Sequence, residues 1–342
     1  MSRSGRSGRR RSKRQVAVLA AVLAVISIAA LAGVYFLGEW LENRSYQEQR
    51  QQMSEHFGEL PTMEYAGQTY VRRPEVETVL LLGVDQHLDD DTWGFQRGGQ
   101  SDFLLLLALD HQNRTIHQLQ IDRDTMTDVT VLSLLGDQKS TRTLQICLSY
   151  AYGGTNEERC KNTVAAVENL LGGQRIDLYT AVKLDGIGAL NRALGGITVT
   201  LPEDYTDLDP MMAKGATLTL TDAQAEHLVR ARMYVGDGTN ASRMLRQRVF
   251  LKAATEQLLV KLRENADFAG TLFDALEEIS SYTNFNRGRL INEVNRAYHY
   301  DILPAEMFTG EYKIGRGGFM EFYADEDSIA AWVAQNLCEL KK

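Results

Sequence analysis

The 342-residue chain lacks the short signatures that would reveal a chemistry directly. Its histidines, His56, His87, His111, His117, His227 and His299, are scattered, and none pair at the spacing of a helical zinc site. No Gly-x-Ser-x-Gly elbow and no Gly-rich phosphate loop ending in Lys-Ser/Thr occurs, so serine-based hydrolysis and ATP use have no support. Excess positive charge is absent as well. The net charge is −8 and the isoelectric point about 5.4. That argues against a nucleic-acid binder, which needs a basic surface to neutralise phosphates. Any phosphate chemistry must therefore use a local cationic cluster. There is no internal repeat, and no low-complexity tract beyond a basic N-terminal tail. Cysteine is scarce, limited to Cys147, Cys160 and Cys338.

What is present begins with one long uncharged run, Val16 to Gly38. About 20 apolar residues cross a bilayer core as a helix. Arg3, Arg6, Arg9, Arg10, Arg11, Lys13 and Arg14 precede the run. Residues 1–14 thus read as a basic cytoplasmic tail, 15–38 as a single transmembrane helix, and the rest as extracytoplasmic. The rival is a cleaved signal peptide, whose apolar region is roughly 7–15 residues and ends in small residues. Tyr35, Phe36 and Leu37 close this one, which favours an uncleaved anchor. Residues 39–74 are polar and read as a juxtamembrane stalk ended by Pro74. Outside the membrane a Cys147–Cys160 bridge is permitted and would contribute roughly 3 kcal/mol without strain; three reduced thiols are the alternative.

From Glu75 the pattern is α/β, and residues 75–342 read as the extracytoplasmic domain. The composition, 44% hydrophobic, supports a sizeable core. "VETVLLLGVD" (76–85) and "SDFLLLLALD" (101–110) are nearly continuous apolar runs, as expected for strands buried on both faces. "IHQLQI" (116–121) follows a turn as a third strand. Leu144, Cys147, Leu148 and Ala151 have the spacing of one helix face, predicting a helix over 143–152. A second helix is predicted over 162–171, stopped by Gly172–Gly173. "IDLYTAVKL" and "ITVTL" read as strands. Thr221 and Gln224 form a capping box that opens a helix toward Arg232, and a long helix runs from about Ala241 past Leu259. Residues 266–342 continue as mixed α/β, with a hairpin over 309–325. Alternating strands and helices predict a mixed central sheet covered on both faces, with a ligand crevice at the strand ends.

"QIDRDTMTDV" (120–129) releases Asp122, Arg123 and Asp124 together at the end of a buried strand. A solvated loop is one reading; a charged strand end in a crevice is the other. Asp85 closes the first strand and Asp102 opens the second. Two such carboxylates can share a hard cation such as Mg²⁺, or be ordinary strand-edge acids. The acidic run Leu88–Asp91 reads as a solvated loop. Arg230 and Arg232 end the capped helix. Arg243, Arg246 and Gln247 lie at i, i+3 and i+4 on the next helix and share a face. Arginine forks match phosphate oxygens. A solvated basic face is the alternative.

The ordered blocks "LLLGVDQ", "SDFLLLLALD", "QIDRDT", "LSYAYGG", "LGGITVTLPEDY", "LVRARM" and "SRMLRQRVFLKA", behind a basic tail and a single anchor, resemble the LytR-CpsA-Psr (LCP) family of cell-envelope proteins. The resemblance is firm over 76–254 and looser over 266–342. It implies a three-layer α/β/α fold with a pocket for an isoprenoid chain. It also implies a phosphotransferase that moves a glycopolymer, such as teichoic acid or capsule, from a polyprenyl-pyrophosphate carrier onto peptidoglycan. The site residues it implies are Asp85 and Asp102 for Mg²⁺ (or Mn²⁺), and Arg123, Arg230, Arg232, Arg243, Arg246 and Gln247 for the pyrophosphate. Arg123, Asp124 and Asp85 are the catalytic candidates, with Asp122 or Asp124 either a general base or a support for Arg123. Two positions depart from the family pattern. Gln100 stands where an arginine is usual, with Arg97 a nearby substitute, and Asn240 where an aspartate is usual. A carrier-pyrophosphate hydrolase and a non-catalytic lipid- or glycan-binding module are the other readings of the same residues.

Overall fold

Apolar residues on both sides of one strand demand cover on both sides, and that requirement organises the domain. The computed structural model describes residues 61–86, 99–133, 139–183, 186–232, 235, 237–265 and 267–341. The basic tail, the expected transmembrane helix, the start of the stalk, Leu88–Asp91 and Arg97 lie outside the described residues. Among the described residues no helix is long and apolar enough to cross a membrane.

The chain enters as a hairpin of β1 (Thr62–Tyr65) and β2 (Gln68–Arg72). Three long strands follow: β3 (Val76–Val84), β4 (Ser101–Asp110) and β5 (Thr115–Ile121). A second hairpin, β6 (Met126–Leu132) and β7 (Lys139–Gln145), leads into a 3-10 turn at Ile146–Ala151 and then α1 (Asn156–Leu170). Next come β8 (Leu178–Lys183), α2 (Ile187–Ala193), β9 (Thr198–Thr200) and β10 (Thr217–Thr219). The helices α3 (Asp222–Arg230), α4 (Asn240–Glu264) and α5 (Phe268–Ile279) precede β11 (Ser280–Thr283) and α6 (Arg287–Ala297). The chain ends with β12 (Asp301–Glu306), the hairpin β13 (Gly310–Ile314) and β14 (Met320–Ala324), α7 (Glu326–Asn336) and β15 (Cys338–Leu340).

The central sheet is mixed, in the order β11-β8-β3-β4-β5-β12. β3–β4 and β4–β5 are antiparallel, while β8 runs parallel to β3 and β12 parallel to β5. Leu80, Leu82, Leu104 and Leu106 are buried on one face with Tyr150, Val164 and Val167. Each such side chain contributes roughly 1.5–3 kcal/mol by leaving water. Val79, Leu81, Phe103, Leu105 and Leu107 point to the other face and line a cavity of about 400 Å³ beneath α4, α5 and α6. The period-2 alternation of a strand thus divides one apolar run between a packed core and a cavity wall.

Three expectations are corrected. The predicted helix over 143–152 is the end of β7 followed by the 3-10 turn. Thr127 and Leu144 pair across the β6–β7 hairpin, so distant partners claim the first residues of that stretch. "ITVTL" does not enter the central sheet; its strand β9 pairs only with β10. The end of the presumed stalk, residues 62–72, is folded, because β2 pairs with both β1 and the C-terminal β15.

Candidate active site

The two strand-end aspartates are brought together by the antiparallel pairing of β3 and β4. Val84 pairs with Ser101, and the Asp85 amide donates to the Gln100 carbonyl at 2.9 Å. Gly99 permits this closeness. Its φ of +73° suits glycine, and a Cβ there would sit 2.4 Å from the Asp85 carbonyl oxygen.

The Asp-Arg-Asp segment is a turn with a buried scaffold. Asp122 Oδ1 accepts the Asp124 amide at 2.8 Å, and its carbonyl accepts the Thr125 amide at 3.0 Å and the Thr125 hydroxyl at 2.7 Å. An aspartate bonding the backbone two residues ahead is a turn former. The 3-10 turn then clamps it, with Cys147 N donating to Arg123 O at 3.1 Å. Asp122 and Asp124 are both buried, so this is no solvated loop.

The Arg123 guanidinium donates to Asp102, to Gln100 Oε1 and to Cys147 Sγ, and its Nε lies 3.4 Å from Asp124 Oδ1. Arg243, from the first turn of α4, donates to the other Asp102 oxygen at 2.9 Å. Arg230, at the end of α3, lies 3.6 Å from Asp85. Burial first, then Asp122, pushes the Asp124 carboxyl above its ordinary range, against the pull of Arg123, Arg232 and Arg243. Burial also lowers Arg243, with Arg123 and Arg232 crowding it and Asp102 opposing. Asp85, Asp102, Arg123, Arg230, Arg232 and Arg243, drawn from five separate segments, therefore meet at one end of the sheet.

Arg246 and Gln247 face elsewhere. Arg246 is fully buried. It donates to the carbonyls of Leu228, at 3.2 Å, and Ala231, and to Ser242 Oγ at 3.0 Å. Gln247 donates to the Val229 carbonyl at 3.3 Å and accepts from Gln120 at 3.1 Å. Both satisfy carbonyls left open at the C-terminal end of α3. Their donors hold the segment that carries Arg230 and Arg232 rather than pointing at the acids.

One neighbour of the site has no signal in the sequence that ties it there. Tyr312, in the C-terminal hairpin, donates to Asp122 Oδ2 at 2.6 Å. Asn240 donates to Asp122 Oδ1 at 2.8 Å and accepts from Arg243 Nη2 at 2.7 Å, so the residue that departs from the family pattern bridges the turn to α4. Gln100, the other departure, accepts from Arg123. Cys147, Cys160 and Cys338 are free and buried; no disulfide joins the first two.

The donors at Asp85 and Asp102 are carboxylate oxygens on adjacent strands, and the Asp85 side chain is 56% exposed. An oxygen-only pair with one member open to water fits a hard cation that keeps part of its hydration shell.

The cavity reaches this same end of the sheet: Gly83, Phe103 and Val229 line it, and they neighbour Asp85, Asp102 and Arg230. A model of the LytR_cpsA_psr family matches residues 40–301. The chain belongs to the LytR-CpsA-Psr family. Among LytR-CpsA-Psr relatives, the polyisoprenyl-teichoic acid–peptidoglycan teichoic acid transferase TagU of Bacillus cereus is 30% identical over 187 residues, covering 55% of this chain and 54% of TagU. The chain thus spans about half the length of that relative. TagV of Bacillus subtilis, named as the same kind of transferase, is 34% identical over 130 residues, 38% of this chain and 29% of TagV. The crystal structure of B. subtilis TagV superposes with a TM-score of 0.58 at 22% identity, covering 77% of this chain and 97% of that one. The structure of TagT bound to LI-WTA gives 0.58 at 19% identity, covering 77% and 91%. At these identities the structural likeness establishes the fold.

Proposed function

We propose that this LytR-CpsA-Psr protein is a membrane-anchored, extracytoplasmic phosphotransferase. It takes a glycopolymer from a polyprenyl-pyrophosphate carrier and joins it to peptidoglycan. The observation that carries this reading is the junction of a long apolar cavity with a cluster of arginines and aspartates. An isoprenoid pyrophosphate has the same division, an apolar chain ending in two phosphates. With the chain along Val79, Leu81, Phe103 and Leu105, the phosphates would lie beside Arg123, Arg230, Arg232 and Arg243.

In this reading the four arginines neutralise the diphosphate. Asp102, which holds Arg123 and Arg243 in the structure, keeps both guanidinium groups aimed before substrate arrives. Asp124, through its contact with Arg123, is a positioning residue rather than a base. Arg246 and Gln247 position the α3–α4 segment. A sugar hydroxyl of peptidoglycan attacks the phosphorus attached to the glycan. A new P–O bond forms, the bridging P–O bond breaks, and its electrons leave on polyprenyl phosphate. The hydroxyl proton passes to water at the open Asp85 edge. Mg²⁺ or Mn²⁺, held by Asp85 and Asp102, would supply further charge neutralisation on the phosphate oxygens. Catalysis of this kind is mostly positioning and electrostatics. No nucleotide is needed, because the carrier's pyrophosphate stores the energy.

The test is incubation of the purified protein with a polyprenyl-pyrophosphate-linked glycan, Mg²⁺ and peptidoglycan. Glycan on peptidoglycan is the expected result. Free phosphorylated glycan alone would make the protein a carrier hydrolase. Binding without turnover, unchanged in Asp102→Ala, would make it a binding module.

A further inference from the structure

A second polar cluster lies at the opposite end of β3. Glu77 is near the start of that strand and Asp85 follows its end, so about 26 Å of strand separates them at ~3.3 Å per residue. His111 directly follows β4. Val76 pairs with Asp110, and the His111 amide donates to the Glu75 carbonyl at 3.2 Å, which places His111 beside Glu77. Glu293, on α6, completes the group.

His111 Nε2 lies 3.6 Å from Glu77 Oε2 and 3.8 Å from Glu293 Oε2. All three atoms fall within 4.8 Å of one another. The Glu293 side chain is nine-tenths buried. Its Oε2, like Glu77 Oε2, is shut from water and receives no hydrogen bond among the described residues. Arg289 explains how the carboxylates are turned. It pairs with Glu77 Oε1 and, at 3.3 Å, with Glu293 Oε1, so both Oε2 atoms are left facing His111. Arg289 acts on both carboxylates and Arg296 on Glu293 as well, against the burial that raises Glu293. On the other side of the ring, His111 Nδ1 contacts the Tyr300 hydroxyl at 3.1 Å. An outer partner of this kind orients a ligating imidazole.

We propose that Glu77, His111 and Glu293 form a binding site for a divalent transition ion of the Zn²⁺ class, separate from the Asp85–Asp102 end. Zn–N and Zn–O bonds of ~2.0–2.2 Å in a tetrahedron put neighbouring ligand atoms roughly 3.3–3.6 Å apart. The observed 3.6 and 3.8 Å need only a slight contraction. One imidazole with two carboxylates favours zinc over Mg²⁺ or Ca²⁺, which prefer all-oxygen sets. Three protein ligands leave a fourth position for water. The ion clips α6 to the edge of the β3–β4 pair. Glu293 also lines the far end of the apolar cavity, with Val294, Ala297 and Ile302, so the clip holds that end of the cavity in place.

The experiment uses the full-length, tag-free protein, stripped with a chelator and titrated with Zn²⁺ by calorimetry, with retained metal measured after desalting. One retained equivalent and a raised melting temperature are expected, insensitive to millimolar Mg²⁺. His111→Gln and Glu293→Gln should each weaken affinity by at least ~10–100-fold, and Tyr300→Phe by about 10-fold. No retained Zn²⁺, or retention unchanged in both ligand variants, would overturn the site. Should either variant fail to fold, zinc-edge anomalous scattering from the wild-type protein decides. A peak beside His111 Nε2 is expected, and peaks only elsewhere refute the proposal.

Discussion

The phenol of Tyr312 donates to Asp122 Oδ2 at 2.6 Å, joining the C-terminal hairpin to the turn that presents Arg123. The hairpin is seated there by two further bonds, Phe322 N to Asp124 O at 2.8 Å and Gln145 Nε2 to Met320 O at 2.6 Å. Burial, followed by the Asp122 carboxylate, raises the Tyr312 hydroxyl above its ordinary value, so it stays a donor. A hydrogen bond to a charged group contributes roughly 1.5–3 kcal/mol, and Tyr312 is 45% exposed, which lets water replace part of it. Tyr312→Phe should therefore lower turnover about tenfold while costing only about 1 kcal/mol of stability. Steady-state rates beside a denaturant melt check this. A rate equal to wild type would mean that the hairpin does not set the turn.

Arg123→Lys should abolish most activity with the fold intact. The guanidinium serves Asp102 and Gln100 together. A single ammonium lacks the planar fork needed to hold both while meeting phosphate. Losing one preorganised donor costs ~2.7–4 kcal/mol in the barrier, a fall of 10²–10³ in rate. A fall below tenfold in single-turnover transfer would remove Arg123 from the reaction.

Arg246→Met should act through the fold. It removes the donors to Leu228 O, Ala231 O and Ser242 Oγ from a fully buried position. A buried acceptor left unpaired costs ~1–3 kcal/mol, so the variant should lose roughly 3 kcal/mol or more. Activity per folded molecule at low temperature, where Arg230 and Arg232 are still held, should fall less than for Arg123→Lys. The reverse order would return Arg246 to the list of phosphate contacts.

The contrast between Arg243 and Arg246 shows where sequence reasoning stops. Helical spacing places residues i, i+3 and i+4 on one side of α4, but that side meets two things: Asp102 near the first turn, and the end of α3 one turn later. Only the packing angle of α4 divides them. β3, β4 and β5 were legible because a core strand between turn signals is a local pattern. So was the Thr221 capping box. The matching box at Thr155 and Glu158 stands apart from the apolar spacing of α1, which becomes regular only further along, so the spacing alone starts that helix too late. Residues 62–72 form a short local hairpin, β1 with β2, whose third strand, β15, comes from the other end of the chain and leaves no local signal. The hairpin of Tyr312 could be read, but its target could not, as the contact spans 190 residues.

The cysteines provide a separate check on the interior. Burial pushes the thiols of Cys147 and Cys160 up to about 12, with Arg123 opposing at Cys147, and that of Cys338 up to about 11. A raised value keeps the proton on sulfur as pH rises, so at pH 8 the thiolate is about one part in 10⁴ for the first two. The thiolate is the reactive form. The native protein should therefore be inert to a disulfide reagent at pH 8, and stay so to pH 9, while the protein unfolded without reductant should release three thiols. One thiol after unfolding would mean that two of the cysteines are bridged. Rapid reaction in the native state would mean that Cys147 is open to solvent, and the close contact of Arg123 with its sulfur at 3.2 Å would then have to be abandoned.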